Sequence, residues 1–289
     1  MNEVTYKGKG GIKASIVKDS ISPDGKRITT MQVTTPKFID AEFEKHRLIS
    51  SNSSSDRAIP VSKMVSRPWY EPHDLRLNQP GMQGAALAGK TDKNSFINDI
   101  RYLKCVVNTI LLENTSIHKQ HLNRYLLGFS FQDKVITATE WDNFFLLRLN
   151  PAADPAIYEL AVCMKAVMVK SVPVELSCSE YHLPYITELD RAANSLETLI
   201  RLSIARCARV SYLNHDNSIP NSDKDLDLYD MLLKSEHMSP FEHVARAMEF
   251  PAQDSEGLAY FRDGITALGS DMNYWSGNFK GWIQHRHEL

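Results

Sequence analysis

Two different hydrophobic periodicities along the chain restrict the folds that it can adopt. Apolar and polar residues alternate through residues 1–40, and the turn sequence SPDG at residues 22–25 interrupts the alternation, which predicts a β-hairpin. Apolar side chains instead recur at helical spacing in residues 96–111, 157–168, 189–204 and 225–234, and a fifth helix is predicted over residues 255–268. Helices and strands occur without a regular βα alternation, so the sequence predicts an α+β fold.

The length and charge of the chain limit the kinds of partner that it can have. The 289 residues carry a formal net charge of -2, with 33 Lys and Arg against 35 Asp and Glu. This length allows a substantial core, and we expect a single domain over residues 1–289, with residues 1–150 and 151–289 contributing different parts of the site. The balanced charge argues against a protein that wraps nucleic acid, because phosphate contacts need a basic surplus on at least one face. A small phosphorylated ligand needs only a few local cations.

Targeting and cysteine usage favour a cytoplasmic protein. No apolar run approaches the roughly 20 residues of a membrane span, and the N-terminal residues lack an apolar signal core. The four cysteines are widely separated and form no C-x-x-C motif, so we expect reduced thiols. A zinc site would need clustered ligands, so no metal is expected.

Residues 45–57, with the sequence KHRLISSNSSSDR, are the first candidate binding segment. Three basic or imidazole side chains are followed by hydroxyls, an amide and a final Arg57. An Arg guanidinium matches phosphate oxygens in bidentate geometry, and Ser hydroxyls with loop N–H groups can complete an anion site. The segment is either a phosphate-binding loop or a solvated Ser-rich loop, and composition does not decide between the two.

Residues 234–243, with the sequence KSEHMSPFEH, allow a structural and a functional interpretation. Ser239 would be an N-cap, Pro240 the first helical residue and Glu242 the residue that completes a capping box. This interpretation leaves His237 and His243 without a role, so a binding site remains the alternative interpretation of the segment.

Three further polar segments each have two interpretations. Arg148 follows a strongly apolar run, where an unpaired charge would be costly, so it either pairs with an acid or contacts a ligand anion. Histidines at positions 118 and 121 flank Lys119 on a predicted helix, an arrangement that favours phosphate contact over a metal site. Residues 276–286 mix basic groups with a Trp, and they form either an anion-contacting tail or a docked strand.

Several common catalytic motifs are missing from the sequence. It contains no P-loop, no G-x-G-x-x-G after a strand and no G-x-S-x-G. No cysteine has an obvious activating neighbour. If the protein is an enzyme, we expect a cofactor to supply the difficult chemistry.

Taken together, these segments resemble the flavin-dependent thymidylate synthases, the ThyX family. The family signature R-H-R-x-x-S-x-N-x-x-S-x-R matches residues 45–57 in all but the first position. The family segments A-R-V-S-[YF], H-x-[ST]-P-F-E-H and N-F-x-x-L-R resemble residues 208–212, 237–243 and 143–148. In the common family the first two of these segments precede the signature, whereas here they follow it. The chain therefore resembles a circularly permuted, bacteriophage-type relative, an arrangement that is tolerable when the original termini lie close together.

The resemblance implies a fold, an activity and a set of ligands. The fold would be a mixed sheet flanked by helices, assembled as a homotetramer with FAD at the subunit interfaces. The activity would be reductive methylation of dUMP to dTMP, with methylenetetrahydrofolate as carbon donor and NADPH as reductant. Matched position by position, the FAD contacts would be His46, Arg47, Asn143, Ser211, Ser239 and Glu242. The nucleotide contacts would be Glu42, Lys45, Ser55, Arg57, Lys119 and Arg148, of which Ser55, Arg57 and Arg148 would be catalytic.

The chain also departs from the family pattern. The departures are Lys45, Ser53, Ala58, Thr137 and Thr139. Lys45 keeps the charge of the family's Arg but loses its planar fork. These changes concern the nucleotide pose and the product, so three functions stay open: a thymidylate synthase, a hydroxymethylase acting on dUMP or dCMP, and a nucleotide- or flavin-binding homologue without turnover.

Overall fold

The computed structural model describes residues 4–55, 57–78, 87–114, 116–210, 221–248 and 264–289. The strands are β1 Thr5–Lys7, β2 Lys13–Ile21, β3 Arg27–Pro36, β4 Ser50–Ser53, β5 Phe131–Ala138, β6 Val174–Glu175, β7 Tyr181–His182, β8 Ala245–Ala247, β9 Ala267–Leu268, β10 Tyr274–Ser276, β11 Phe279–Lys280 and β12 Trp282–Gln284. The α-helices are α1 Asp40–Phe43, α2 Val61–Ser66, α3 Lys90–Glu113, α4 Lys119–Leu122, α5 Asp142–Arg148, α6 Pro155–Lys170, α7 Glu188–Ala193, α8 Leu196–Ala208 and α9 Ser222–Lys234. Short 3₁₀ helices cover Lys9–Gly11, Lys37–Ile39, Asn123–Leu126, Ser239–His243 and His285–His287.

The central sheet has the strand order β1-β2-β3-β5-β4, with β6 added beside β2. The predicted hairpin is confirmed, because β2 and β3 pair antiparallel and the Ser22 N–H donates to the Lys26 carbonyl at 2.9 Å. The turn contains Gly25 at φ 77°, a conformation that glycine adopts without a Cβ clash. The strand β5, which comes roughly a hundred residues later, pairs antiparallel with both β3 and β4.

Helix α6 covers one face of this sheet. Asp154 caps the helix by accepting from the Ala156 N–H at 2.8 Å, and Pro155 is the first helical residue, where its missing N–H costs nothing. The predicted apolar stripe is confirmed, since Ile157 and Leu160 are fully buried against the sheet in the largest cluster of the described residues.

The opposite face of the sheet is covered by segments that follow α6 in the chain. Cys207 at the end of α8 packs on Val135 of β5. The small sheet β12-β8-β7 lies on the same side, where His182 of β7 contacts Thr30 of β3. The α+β prediction is therefore confirmed, while the permuted order and the single domain stay predictions.

Three sequence-based helix assignments need correction. Residues 189–204 form two helices rather than one, because the side chain of Ser195 caps the start of α8. Leu189 of α7 is 83% exposed and does not belong to the predicted apolar stripe. Phe96 of α3 was expected in the core but is 43% exposed, whereas Ile100 is buried. The helix predicted over residues 255–268 lies mostly outside the described residues, and its final two residues form β9.

Within the described ranges, the model contains no helix that combines the length and apolar character of a bilayer-spanning segment.

Candidate active site

Arg148 lies at the end of α5 and meets two residues from a segment about a hundred residues earlier. Its Nη1 donates to Glu42 Oε2 at 2.9 Å, and its Nε donates to His46 Nε2 at 3.0 Å. The guanidinium also approaches the Glu42 carbonyl at 3.4 Å. The structure thus shows that Arg148 pairs with an acid. It also brings together two predicted nucleotide contacts, Glu42 and Arg148, and one predicted FAD contact, His46.

The imidazole of His46 is held neutral in this cluster. Burial lowers the pKa of His46, and the nearby charge of Arg148 lowers it further. Since Nε2 accepts from Arg148, the proton of the neutral ring sits on Nδ1. The ring packs edge-on against Phe144 with centroids 4.9 Å apart. The guanidinium keeps a partial exposure of 17%, so it is oriented by protein groups but still accessible to a ligand.

A second cluster joins the start of β4 to the S-P-F-E-H segment and the C-terminal residues. Ser50 donates to Glu242 Oε2 at 2.9 Å, and Arg286 forms an ion pair with the other carboxylate oxygen. Gln284 Nε2 donates to Asn278 Oδ1 at 2.7 Å and to Ser50 Oγ at 3.2 Å. Three distant segments therefore share one hydrogen-bonded cluster.

The capping box predicted around Glu242 is wrong. The 3₁₀ helix over Ser239–His243 has Met238 at its N-cap position and no side-chain cap, because the carboxylate of Glu242 is used by Ser50 and Arg286 instead. The docked-strand interpretation of the C-terminal residues is confirmed, since β12 pairs with β8.

The cationic residues of the signature lie at the surface. Lys45 and Arg47 are exposed on either side of buried His46. Ser55 and Arg57 are exposed as well, and the Ser55 hydroxyl accepts from the Arg57 N–H at 3.2 Å. This hydrogen bond keeps Ser55 Oγ beside the backbone N–H of Arg57, and both residues are exposed, which suits a shared anion.

Lys119 begins α4, a helix distant in sequence from the signature, yet it reaches the end of that segment. Its Nζ donates to the Ala58 carbonyl at 3.0 Å, one residue after Arg57. The contact places a second cation beside the signature. The neighbouring His118 acts as the cap of α4, since its Nδ1 accepts from the Gln120 N–H at 3.2 Å.

The remaining predicted FAD contacts are dispersed. Asn143 is exposed in the first turn of α5, and Ser239 is exposed at the start of its 3₁₀ helix. Neither forms a side-chain hydrogen bond with another described residue. Ser211 lies outside the described residues.

A buried row of hydroxyls and imidazoles crosses the sheet beside Glu242. His182 contacts Ser20 through Nδ1 at 3.0 Å and Thr30 through Nε2 at 2.8 Å. Thr30 and Thr137 share a 2.7 Å hydrogen bond, and Thr137 meets His243 Nδ1 at 2.8 Å. Burial lowers the pKa of His243 to about 3, and it lowers the pKa of His182 with help from Lys18 and His243. Both rings are therefore neutral near pH 7.

This row positions the site, and the sequence analysis did not find it. Glu242 and His243 are adjacent, and they contact Ser50 and Thr137, which face each other across β4 and β5. Thr137 stood out only as a departure from the family, and nothing in its local pattern indicated a partner. The alternation of apolar and polar residues does not single out a buried threonine in a strand. Its hydrogen-bond partners cannot be identified from the local sequence, because they lie in other segments.

No group of three or more His, Cys, Asp or Glu side chains is arranged around a common point in the part of the chain that the model describes. Of the cysteines, Cys163 and Cys207 are buried and reduced, and burial raises the pKa of both thiols, that of Cys163 to about 12. These two thiols are not thiolate nucleophiles near neutral pH.

No family model matches the chain, and no curated protein is significantly similar to it. Among solved structures, the chain is similar to the UMP/dUMP methylase PolB from Streptomyces cacaoi, in complexes with 5-Br UMP and 5-Br dUMP. The sequence identities are 17% and 18%, and the matches cover 56% and 57% of this chain and 91% and 93% of those chains. The TM-scores are 0.46 and 0.45.

The residues at the site are compatible with a bound flavin. Arg47, Asn143 and Ser239 present donors at the surface, and among the described residues none of these side chains has a hydrogen-bond partner. Such donors suit the phosphate and ring oxygens of a dinucleotide.

Proposed function

We propose that the protein is a flavin-dependent thymidylate synthase of the ThyX type, which methylates dUMP reductively to dTMP with methylenetetrahydrofolate and NADPH. The observation that carries the proposal is the contact of Arg148 with Glu42 and His46. These residues belong to two motif segments that resemble the family, and they meet although about a hundred positions separate them. The homotetramer and a cytoplasmic location are further expectations of this proposal.

Arg148 has the role of stabilising charge on the pyrimidine. The side chain is fixed by Glu42 and His46 before a ligand arrives, so little reorganisation is needed when a carbonyl oxygen of the ring approaches. Positive charge at that oxygen stabilises the negative charge that develops as the pyrimidine C5 becomes nucleophilic. Neutral His46 supports this role, because a protonated imidazole would repel the guanidinium.

The other residues bind and orient. Ser55 and Arg57 would hold the nucleotide phosphate, with the charge of Lys119 nearby. Arg47, Asn143, Ser239 and Glu242 would contact FAD, which supplies the hydride when bound. The buried, protonated thiols of Cys163 and Cys207 are compatible with a reaction that needs no cysteine nucleophile.

Product analysis tests this proposal directly. The wild-type protein is incubated anaerobically with dUMP, FAD, NADPH and methylenetetrahydrofolate, and the nucleotide is identified by mass spectrometry. We expect dTMP from the wild type. In Arg148→Gln we expect a loss of about 100-fold or more in kcat/KM, because a preorganised charge is removed from the reacting ring. Arg191→Gln, which removes an exposed Arg on α7, is the matched control and should keep its activity.

Two outcomes would contradict the proposal. A hydroxymethyl product would mean that water captures the methylene adduct in place of hydride, and the protein would be a hydroxymethylase. Absence of product from both dUMP and dCMP, together with thermal stabilisation by the nucleotide, would identify a binding protein without turnover.

Arg57→Ala should weaken dUMP binding by about 1.5–3 kcal/mol, because a charge-assisted hydrogen bond to phosphate is lost. Arg57→Lys should recover only part of this affinity, since Lys keeps the charge without the bidentate fork. Titration calorimetry with dUMP measures both variants, and Lys63→Ala, at an exposed position on α2, is the control. Unchanged affinity in Arg57→Ala would refute this placement of the phosphate.

A further inference from the structure

A cleft of about 900 Å³ lies away from the residues assigned above. It forms between the β1–β2 end of the sheet, the segment over residues 67–73 and the first half of α3. Neither the Arg148 cluster nor the Ser50–Glu242 cluster contributes a lining residue. Its volume falls within the range of small-molecule sites.

Two lysines on the cleft wall face each other without a counter-charge. Lys7 of β1 and Lys13 of β2 are directly opposite in the antiparallel register, and both are exposed. Like charges at such positions destabilise a strand pair. Neither lysine forms a salt bridge with a carboxylate of the described residues, so this repulsion is not relieved within the chain as described.

The rest of the lining is also cationic on balance. Arg67 has no carboxylate partner among the residues that the model describes, and Lys93 donates only to a backbone carbonyl, that of His73. Two carboxylates line the cleft. Glu71 is already paired with Arg101 outside it at 2.8 Å, and Asp133 accepts from Thr34 Oγ1 at 2.5 Å. Four cations therefore face one carboxylate that is not in an ion pair.

An indole N–H provides a second, independent indication of a ligand. Trp69 lines the cleft and is only 8% exposed, yet its Nε1 has no hydrogen-bond partner in the described structure. An unpaired buried donor costs free energy that an acceptor would recover. The ring is held in place by parallel stacking on Phe129, with centroids 5.5 Å apart. Trp69 and Phe131 also give the cleft an apolar wall.

We infer that this cleft binds an organic dianion with a planar ring. The negative groups would lie between Lys7, Lys13 and Arg67, with an acceptor atom at the Trp69 N–H and the ring against Phe131. A nucleoside monophosphate and an aromatic dicarboxylate share this chemistry, and the experiment below separates them. The inference uses none of the residues of the proposed synthase site.

Calorimetric titration of the full chain with four probes tests the inference. The probes are 5′-AMP, p-aminobenzoyl-glutamate, and their ring-free counterparts inorganic phosphate and glutarate. At least one aromatic dianion is expected to bind about tenfold or more tightly than its counterpart, because the ring buries apolar surface. Which one binds distinguishes a phosphate ligand from a dicarboxylate.

Variants locate the binding. Lys13→Ala should weaken it about tenfold, and Trp69→Phe, which keeps the ring but removes the donor, should weaken it about fivefold. Lys13→Ala should not lower the Tm of the ligand-free protein, because it removes a like-charge pair. Lys234→Ala, at an exposed end of α9, is the control and should bind like the wild type.

The inference is overturned if no probe binds, if phosphate or glutarate binds as tightly as the aromatic probes, or if Lys13→Ala and Trp69→Phe both leave the affinity unchanged. Arg57→Ala and Arg148→Gln separate this result from the proposed function. Probe binding that survives both substitutions and is weakened by Lys13→Ala belongs to the cleft whether or not the protein makes dTMP, and probe binding that is lost with Arg57→Ala or Arg148→Gln would assign the probe to the proposed synthase site.

Discussion

Arg206→Met is expected to lower the free energy of unfolding by about 3–5 kcal/mol, the range found when one partner of a buried ion pair is removed. Arg206 of α8 is 2% exposed and joins two acids, with Nη1 2.7 Å from Asp190 Oδ2 and Nε 3.2 Å from Asp225 Oδ2. Met preserves most of the side-chain volume, so the loss of unfolding free energy reports on the removed charge and not on a cavity. Asp225 is fully buried, and among the described residues it would keep Arg209, at 2.9 Å, as its one ion-pair partner.

The lowered pKa of Asp190 indicates how strongly this network favours the ionised form of the carboxyl group. Burial by itself would raise the pKa of Asp190, but hydrogen bonds from Arg206 and Thr187 lower it to about 2. Without Arg206, the carboxylate would lose its main donor while its side chain stays 12% exposed. Repulsion between two carboxylates would then add to the lost hydrogen bonds.

Urea denaturation at pH 7 measures the effect of Arg206→Met, with Arg201→Met as the matched control. Arg201 lies on the same helix and pairs with Asp230 at 2.6 Å, but the two side chains are 28% and 64% exposed. A surface pair of this kind contributes about 1 kcal/mol or less. If both variants lose the same small amount of unfolding free energy, the Arg206 network does not stabilise the fold.

Stability is expected to fall steeply between pH 6.5 and pH 5 because His182 and His243 are buried as neutral rings. In the unfolded chain both titrate near pH 6.5, whereas burial lowers the pKa of each in the folded protein, to about 3 for His243. Below pH 6.5 the unfolded state therefore binds more protons than the folded state. Each histidine should contribute a slope of about 1.4 kcal/mol per pH unit, so acid destabilises the fold well before most carboxylates titrate.

The slope of stability against pH, measured by denaturant unfolding at several pH values, isolates this effect. His243→Asn should reduce the slope by about 1.4 kcal/mol per pH unit, whatever it does to stability at pH 7. Ser239→Ala, which changes no titrating group at an exposed position of the same 3₁₀ helix, should leave the slope unchanged. NMR of the wild type gives an independent check, because two imidazole signals should fail to titrate down to the pH of acid unfolding. Titration of both near pH 6.5 would contradict the buried neutral rings.

Much of the local structure could be predicted because its causes are local. The hairpin follows from alternation and a glycine-containing turn, and α6 follows from an Asp-Pro start and an apolar stripe that is buried as expected. The break between α7 and α8 could not be predicted from the apolar spacing alone. Thr187 and Ser195 each cap a helix there, and two caps eight residues apart override a continuous stripe.

The site residues divide in a similar way. The candidates Glu42, His46 and Arg148 were identified from the resemblance of their segments to family motifs, but their mutual hydrogen bonds depend on β5 bringing α5 back to the signature. The capping role proposed for Glu242 was wrong for the same reason. A partner from β4, Ser50, and one from the C-terminal residues, Arg286, compete for the carboxylate, and neither is near it in sequence.

The sequence by itself determined the α+β class, the hairpin and the principal helices, because these depend on periodicity and turn chemistry, and it singled out a short set of candidate binding residues. Only the tertiary structure decided which of those residues touch, which imidazoles are buried as neutral rings, and which cations line one cleft together with Trp69. Hydrogen bonds and desolvation depend on distances between segments far apart in the chain, and the pairing of β5 with β3 and β4 sets those distances.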